Sequence, residues 1–380
     1  MITVFVWLLC LVVGLPVAVL AVECVTGAWT RARAAAPAAD APAFTVLMPA
    51  HNEAAGIAAP VRAVLAQLRP RDRLIVIADN CTDETAAIAR GLGATVFERT
   101  DPDRRGKGYA LEFGRAHLSA GVDTVVIIVD ADCEPEPYAL PRLAATAGRQ
   151  HAVVQGAYLM LPPDDATAIV RVSCFAFLIK NLVRQRALSA LAGAALLQGS
   201  GMAFPRELFR RIEWRPDSLV EDLDMGLDLL LQGEQVLFEE SARFTSAASS
   251  QRGTEGQRRR WEHGMLHSMT VYVPRLLRSG LLMVALDLMV PPTVLLIGVA
   301  GLVTLVALLL GGLSTPVLLL IGLELLLAIG LVGAWHAHGR ALLPARSLAQ
   351  LPAYLVWKLP IIAQFATRRQ KQWIRTERKP

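Results

Sequence analysis

The chain has 380 residues, 54% of them apolar and 19% charged, with a formal net charge of +5. The apolar residues concentrate in three long segments, which excludes an ordinary pair of soluble domains. Six Lys or Arg against one Glu between Thr367 and Pro380 account for the whole charge excess, so the basicity is local and argues against a nucleic-acid partner.

Taken in chain order, residues 4–22 carry no charge and are long enough to cross a hydrocarbon core of ~30 Å as a helix. No Lys or Arg precedes them, while Arg31 and Arg33 follow. Residues 1–23 therefore read as a retained transmembrane anchor with its amino end outside, rather than a cleaved signal peptide. An Ala- and Pro-rich linker, 34–43, leads to a cytoplasmic domain at 44–264.

Within that domain strands are expected at 44–48, 74–78, 95–98 and 152–159, alternating with helices. Thr82 or Asp83 is expected to cap the helix that stops at Gly91. This alternation predicts an α/β fold with a mostly parallel sheet covered on both faces. A long apolar helix is expected around 169–191. An interfacial segment at 265–280 then precedes two transmembrane helices within 281–337, with apolar cores at 288–310 and 316–335. Residues 341–366 are apolar but broken by Pro352, Lys358 and Pro360, and read as an interfacial helix. The basic tail, 367–380, is suited to anionic lipid headgroups. Five cysteines show no metal-ligand spacing, and in a cytoplasmic domain they are expected to be reduced.

The chemistry centres on the run Val125-Val126-Ile127-Ile128-Val129-Asp130-Ala131-Asp132, an apolar strand ending in two carboxylates. Ligands collect at the carboxyl ends of strands in open α/β sheets. Paired carboxylates there suit a hard divalent cation, Mg2+ or Mn2+, shared with substrate phosphates. A nucleotide-activated substrate follows. Lys107, in the turn Arg104-Arg105-Gly106-Lys107-Gly108 before a helix, is a candidate for diphosphate, and the spacing is not that of an ATP-binding Walker loop. Glu221 and Asp222 are adjacent carboxylates, either of which could relieve a hydroxyl of its proton. Asp224 and Asp228, at helical spacing beyond them, read as solvent-facing or capping. His51 reads as a loop hydrogen-bonder and Cys133 as a small filler. Asp287 and Glu324 lie in apolar surroundings, either bordering an acceptor path or paired with water and backbone near Pro291-Pro292.

In order, the chain shows Pro49-Ala50-His51-Asn52-Glu53, Asp79-Asn80, Lys107, Asp130-Ala131-Asp132, Glu221-Asp222 and Gln257…Arg260-Trp261. This series resembles the membrane-bound family 2 glycosyltransferases, the group of cellulose, chitin and hyaluronan synthases and ceramide glucosyltransferase. The resemblance covers residues 44–261 and implies a GT-A fold, a mixed but mostly parallel nucleotide-sugar-binding sheet, and an inverting mechanism. It implies that Glu53 and Asp79 hold the base and ribose, that Asp130 contacts nucleotide and metal, and that Asp132 is the main metal ligand. It makes Asp222 the general base. Lys107, Gln257, Arg260 and Trp261 join the donor site, and Gly199, Ser200, Gly201 and Trp261 border the acceptor. The implied donor is a UDP-sugar and the acceptor a growing glycan or a membrane lipid, at the inner membrane. Two carboxyl-terminal spans are few for a polymer channel, which points to partner subunits for export. The competing readings are single-sugar transfer to a lipid, a nucleotidyltransferase, and a catalytically silent membrane scaffold.

Overall fold

The computed structural model describes residues 2–30, 38–118, 123–214, 218–248 and 251–350, the side chains of 251–260 and 349–350 excepted. Its contacts define two units. Among the described residues, one comprises 38–161 and 194–247, and the other 2–30, 162–193 and 248–350.

The first unit is built on eight strands: β1 (Phe44–Ala50), β2 (Arg73–Asp79), β3 (Thr95–Arg99), β4 (Val125–Ile128), β5 (Cys133–Pro135), β6 (Val153–Leu161), β7 (Met202–Pro205) and β8 (Val236–Ala247). Their order in one sheet is β3-β2-β1-β4-β7-β6-β8-β5. The parallel part, β3-β2-β1-β4, takes the apolar runs seen in the sequence. β1, β2 and β4 are buried on both faces, as crossover helices on either side require, whereas the edge strand β3 is half exposed. β7 then pairs antiparallel with both β4 and β6, β6 runs parallel to β8, and β5 pairs antiparallel with β8. This is a mixed sheet of the GT-A type.

Several expectations change in detail. The strand before the acidic pair ends at Ile128, so Asp130 and Asp132 lie in the turn beyond it. Of the two expected capping residues, Asp83 serves the helix Thr85–Gly91, its Oδ1 accepting from the Thr85 amide at 3.1 Å, while Glu84 makes no capping bond. β5, β7 and β8 have no counterpart among the strands expected from sequence. β8 alternates buried and partly exposed positions, and a bulge opposite Gly156 and Ala157 shifts its register on β6.

The second unit is helical. Helix Ile2–Trp29 continues six residues past the expected anchor limit of 23. The segment around 169–191 is helix Ala168–Leu178, a π-helical turn Ile179–Val183, then helix Arg184–Ala192. Helix Gln251–Arg278 runs unbroken through the boundary expected at 264, with Gly264 and Pro274 both inside it. The second apolar span begins later than expected. Pro291 and Pro292 end a short helix, Leu282–Leu288, and the spanning helix is Thr293–Gly311. With Ile2–Trp29 and Thr315–Gly339 it makes three helices, among the described residues, long and apolar enough to cross a membrane. Helices Ile2–Trp29 and Thr315–Ala334 approach so closely that a Cβ on Gly330 would stand 2.7 Å from Cys24 Cβ.

Asp287 and Glu324 both have protein partners. Arg184 bridges Glu23 at 2.8 Å and Asp287 at 3.0 Å, all three nearly buried. Glu324 accepts from Thr304 Oγ1 at 2.8 Å. The interfacial helix expected at 341–366 is described only as far as a 3-10 turn, Ala345–Gln350; its remainder and the basic tail lie outside the described residues.

Candidate active site

The parallel strands deliver the candidate groups to one edge of the sheet. Asp79 is the last residue of β2, and Asp130 and Asp132 follow β4, with only β1 between. Turn 51–54 after β1 is laced to turn 79–85 after β2. His51 Nδ1 lies 2.7 Å from the Asp79 carbonyl, the Asn52 side-chain oxygen accepts from the Thr82 amide at 2.7 Å, and the Glu53 amide donates to Thr85 Oγ1 at 2.8 Å. Glu53 and Asp79 thus sit on adjoining turns.

Lys107 is the first residue of helix Lys107–Ala116. Its Nζ lies 2.5 Å from Asp130 Oδ1 and donates to the Gly199 carbonyl at 2.5 Å. Burial lowers the Lys107 pKa, but the carboxylates of Asp130, Asp222 and Glu221 outweigh it and hold the ammonium charged, with a net upward shift. Asp222 is in the first turn of helix Glu221–Leu231. A Cβ added to Gly199 would stand 3.1 Å from Asp222 Oδ2 and 3.5 Å from Lys107 Nζ, so Gly199 fills the gap between the two groups. Its φ of +95° also favours glycine. Ser200 Oγ accepts from the Asp130 amide at 3.1 Å, tying this loop to the acidic turn. Lys107, Asp130, Gly199, Ser200 and Asp222 therefore converge, and the Asp130–Asp132 pair shares one short turn.

Asp224 is not solvent-facing: it is buried and accepts from Ser218 Oγ at 2.7 Å, bracing the start of its helix. Trp261 belongs to the helical unit, where its ring lies 5.7 Å from that of Phe177. Gln257 and Arg260 are on the same helix, with side chains outside the described residues. Cys133 is fully buried, and burial raises its thiol pKa well above the usual value, so it is a filler and not a nucleophile.

Sequence reasoning missed two residues. Gln155, fully buried on β6, donates from Nε2 to the Ser200 carbonyl at 2.9 Å and accepts at Oε1 from the Gln198 amide at 2.8 Å. Its amide acts as one more peptide group, extending the ladder into a loop that positive-φ glycines turn away from β6. A Gln within an otherwise apolar strand was the available signal. Arg99, the last residue of β3, lies on Asp79 at 2.6 Å; its position at a strand end was the only hint.

The donor set fits a hard divalent ion. Among the described residues no three His, Cys, Asp or Glu side chains form a metal-binding group. Asp130 and Asp132 would therefore hold the ion together with diphosphate oxygens, the arrangement usual for Mg2+. That Asp130 already gathers an ammonium group agrees with a demand for positive charge there.

The fold is a GT-A architecture, with an acidic turn at the carboxyl ends of its parallel strands. The family model described as "Glycosyltransferase like family 2" matches residues 41–264, more than half of the chain, and the chain belongs to that family. Among curated proteins it is 36% identical over 105 residues to a low-salt glycan biosynthesis hexosyltransferase, Agl6, of Haloferax volcanii, covering 27% of this chain and 24% of that protein. It is 37% identical over 95 residues to 4,4'-diaponeurosporenoate glycosyltransferase of Staphylococcus aureus, covering 24% of each. The matches thus span about a quarter of these relatives. Among solved structures, the mannosyltransferase PcManGT from Pyrobaculum calidifontis, in complex with GDP-Man and Mn2+, superposes with a TM-score of 0.61 at 18% identity, covering 96% of this chain and 100% of that one. That likeness establishes the shared fold.

Proposed function

We propose that this protein is a metal-dependent, inverting glycosyltransferase that moves a sugar from a UDP-sugar to a membrane-associated acceptor. The observation that carries the reading is the gathering of Lys107, Asp130 and Asp222 around Gly199. Such a cluster offers what the reaction requires: positive charge for a departing diphosphate, a carboxylate pair for Mg2+ or Mn2+, and a separate carboxylate to relieve the attacking hydroxyl of its proton. The bound ion would neutralise developing charge on the diphosphate. Lys107 shares that work, Asp222 takes the acceptor proton, and Glu53 and Asp79 hold the nucleoside. Gln257, Arg260 and Trp261 complete the donor side, and Gly199, Ser200, Gly201 and Trp261 the acceptor side. PcManGT binds a nucleotide-sugar with Mn2+ in a related fold, which supports the same ligand class here.

Arg31 and Arg33 follow the first span, so the site faces the cytoplasm of the inner membrane. The product is proposed to enter an extracellular polysaccharide, with export left to partner subunits. A second reading, one sugar added to a lipid, is favoured by the span count. Three candidate spans among the described residues are few for a polymer-conducting path. Incubating the detergent-purified protein with nucleotide-sugars and membrane lipid extract, followed by product mass determination, tests both. A ladder of masses supports the polymer, and a single-sugar lipid adduct replaces it. Donor turnover that survives Asp132→Ala, or that ignores chelation, refutes the metal-dependent enzyme.

A further inference from the structure

The Asp79 carboxylate is nearly buried, with 7% of its side chain exposed, and its two oxygens have different fates. Oδ1 accepts from Arg99 Nη1 at 2.6 Å and from Asn80 Nδ2 at 3.1 Å, so both of its lone pairs are occupied. Oδ2 receives no hydrogen bond among the described residues. Arg99 is not free to turn away. Nη1 also donates to the Arg104 carbonyl at 2.7 Å, Nη2 donates to Asp101 Oδ2 at 3.0 Å, and the guanidinium lies 5.7 Å from the centre of the Tyr109 ring. Asn80 is fixed as well, since its Oδ1 accepts from the Asp101 amide at 2.8 Å. The orientation of Asp79 is therefore set by a closed network around Arg99.

This asymmetry selects among nucleobases. An almost buried carboxylate with one open oxygen asks for a single N–H donor. Uracil presents one ring imide N–H between two carbonyls. Guanine presents two neighbouring donors, N1–H and the 2-amino group, which match a carboxylate only when both oxygens are available. Cytosine and adenine present a ring-nitrogen acceptor at that edge, which a carboxylate repels. Resting on the donor reading above, in which Glu53 and Asp79 hold the nucleoside, and with Asp79 as the group that meets the base, we propose that Arg99 is a specificity-determining residue that makes Asp79 a one-oxygen acceptor and so selects uracil over guanine. Arg99 acts through Asp79 and is a positioning residue.

The test is nucleoside-diphosphate binding by calorimetry on the full chain in detergent with Mn2+. The wild-type protein is expected to bind UDP at least about tenfold tighter than GDP, because an unmatched donor is costly in a buried site. Arg99→Met frees Oδ1 for a second donor and is expected to narrow that ratio about tenfold. A merely structural role for Arg99 would weaken both nucleotides together and leave the ratio unmoved. Should Arg99→Met not fold, Asp79→Asn replaces it. That change puts an amide donor at the base edge and is expected to reduce the preference for UDP over CDP. A UDP/GDP ratio within about threefold of wild type in Arg99→Met, or wild-type protein that binds GDP as tightly as UDP, overturns the Arg99 assignment alone. An unmoved UDP/CDP ratio in Asp79→Asn removes Asp79 from the base edge and overturns the assignment together with that part of the donor reading. Wild-type protein that binds no nucleoside diphosphate overturns the donor reading with it.

Discussion

Replacing Lys107 by Met removes one cation from a cluster of carboxylates and should move two measurements in opposite directions. Without donor, the Lys107 ammonium neutralises Asp130 at 2.5 Å and lies within the field of Asp222 and Glu221. A divalent ion seeking Asp130 must therefore displace it or share the carboxylate with it. With donor bound, the same ammonium is the natural partner of a diphosphate oxygen. A hydrogen bond to a charged group contributes about 1.5–3 kcal/mol, and each 1.4 kcal/mol is a factor of ten. Lys107→Met is thus expected to slow release of nucleoside diphosphate from the donor about 10- to 100-fold. It should also tighten nucleotide-free Mn2+ binding, by about tenfold if half of the lost interaction is returned to the metal. Electron paramagnetic resonance titration of Mn2+ reads the second effect without any turnover. The thermal midpoint checks that the protein remains folded. Mn2+ binding that weakens together with turnover would refute the competition, since Lys107 would then be supporting the ion's site.

Three other variants probe what holds the two units. Asp123 accepts from Thr45 Oγ1 at 2.9 Å and pairs with Arg206 at 2.5 Å and Arg73 at 2.9 Å; burial pushes its pKa up, but these partners outweigh burial and leave it lowered. A lowered carboxylate pKa stabilises the fold above the unfolded value near ~3.9, and that stability is lost as pH falls through the folded value. Asp123→Asn should therefore cost about 3–5 kcal/mol at pH ~7, and the deficit should shrink below pH ~4 in thermal melts. Gln155→Leu leaves the Gln198 amide without its partner and loosens the loop that holds Lys107. About 1–3 kcal/mol of stability should be lost and the donor KM should rise, while an unchanged KM would reduce Gln155 to a packing role. Arg184→Met strands two carboxyls, Glu23 and Asp287, in a nearly dry site and should cost about 3–5 kcal/mol. The triple change Glu23→Gln, Arg184→Met and Asp287→Asn should be milder than the single one in detergent melts, and a harsher triple would refute this account.

What was legible in the sequence is what short-range pattern encodes. Apolar runs ending in Asp79 and near Asp130 specify buried parallel strands, because only crossover helices on both faces can cover them. Both acids consequently arrive at the same sheet edge, and this part of the site needed no knowledge of distant residues. The expected helix around 169–191 and the expected span at 288–310 were also visible as apolar stretches. Their interruptions depended on a π turn and on where Pro291 and Pro292 act, so only the existence of these helices was legible.

The illegible part lies in partnerships across long sequence separations. Lys107 and the Gly199 carbonyl are 92 residues apart, Arg99 and Asp79 are 20 apart, and Glu23 reaches Arg184 over 161. No local period marks such pairs. Lys107 and Asp79 were noticed without their partners, and neither Glu23 nor Arg184 was noticed at all. Asp287 shows the consequence: without Arg184 in view, a carboxylate in apolar surroundings reads as a functional group in search of water. With Arg184 beside it, the same residue becomes a tie between helices. Arg99 is the reverse case. At the end of an exposed strand it reads as a solvated cation, yet its side chain is only 10% exposed and occupies one oxygen of Asp79. Structural and functional charges exchange places once partners are known. The partner of a charged residue, more than its type, therefore decides what substitution at Asp287 or Arg99 will do.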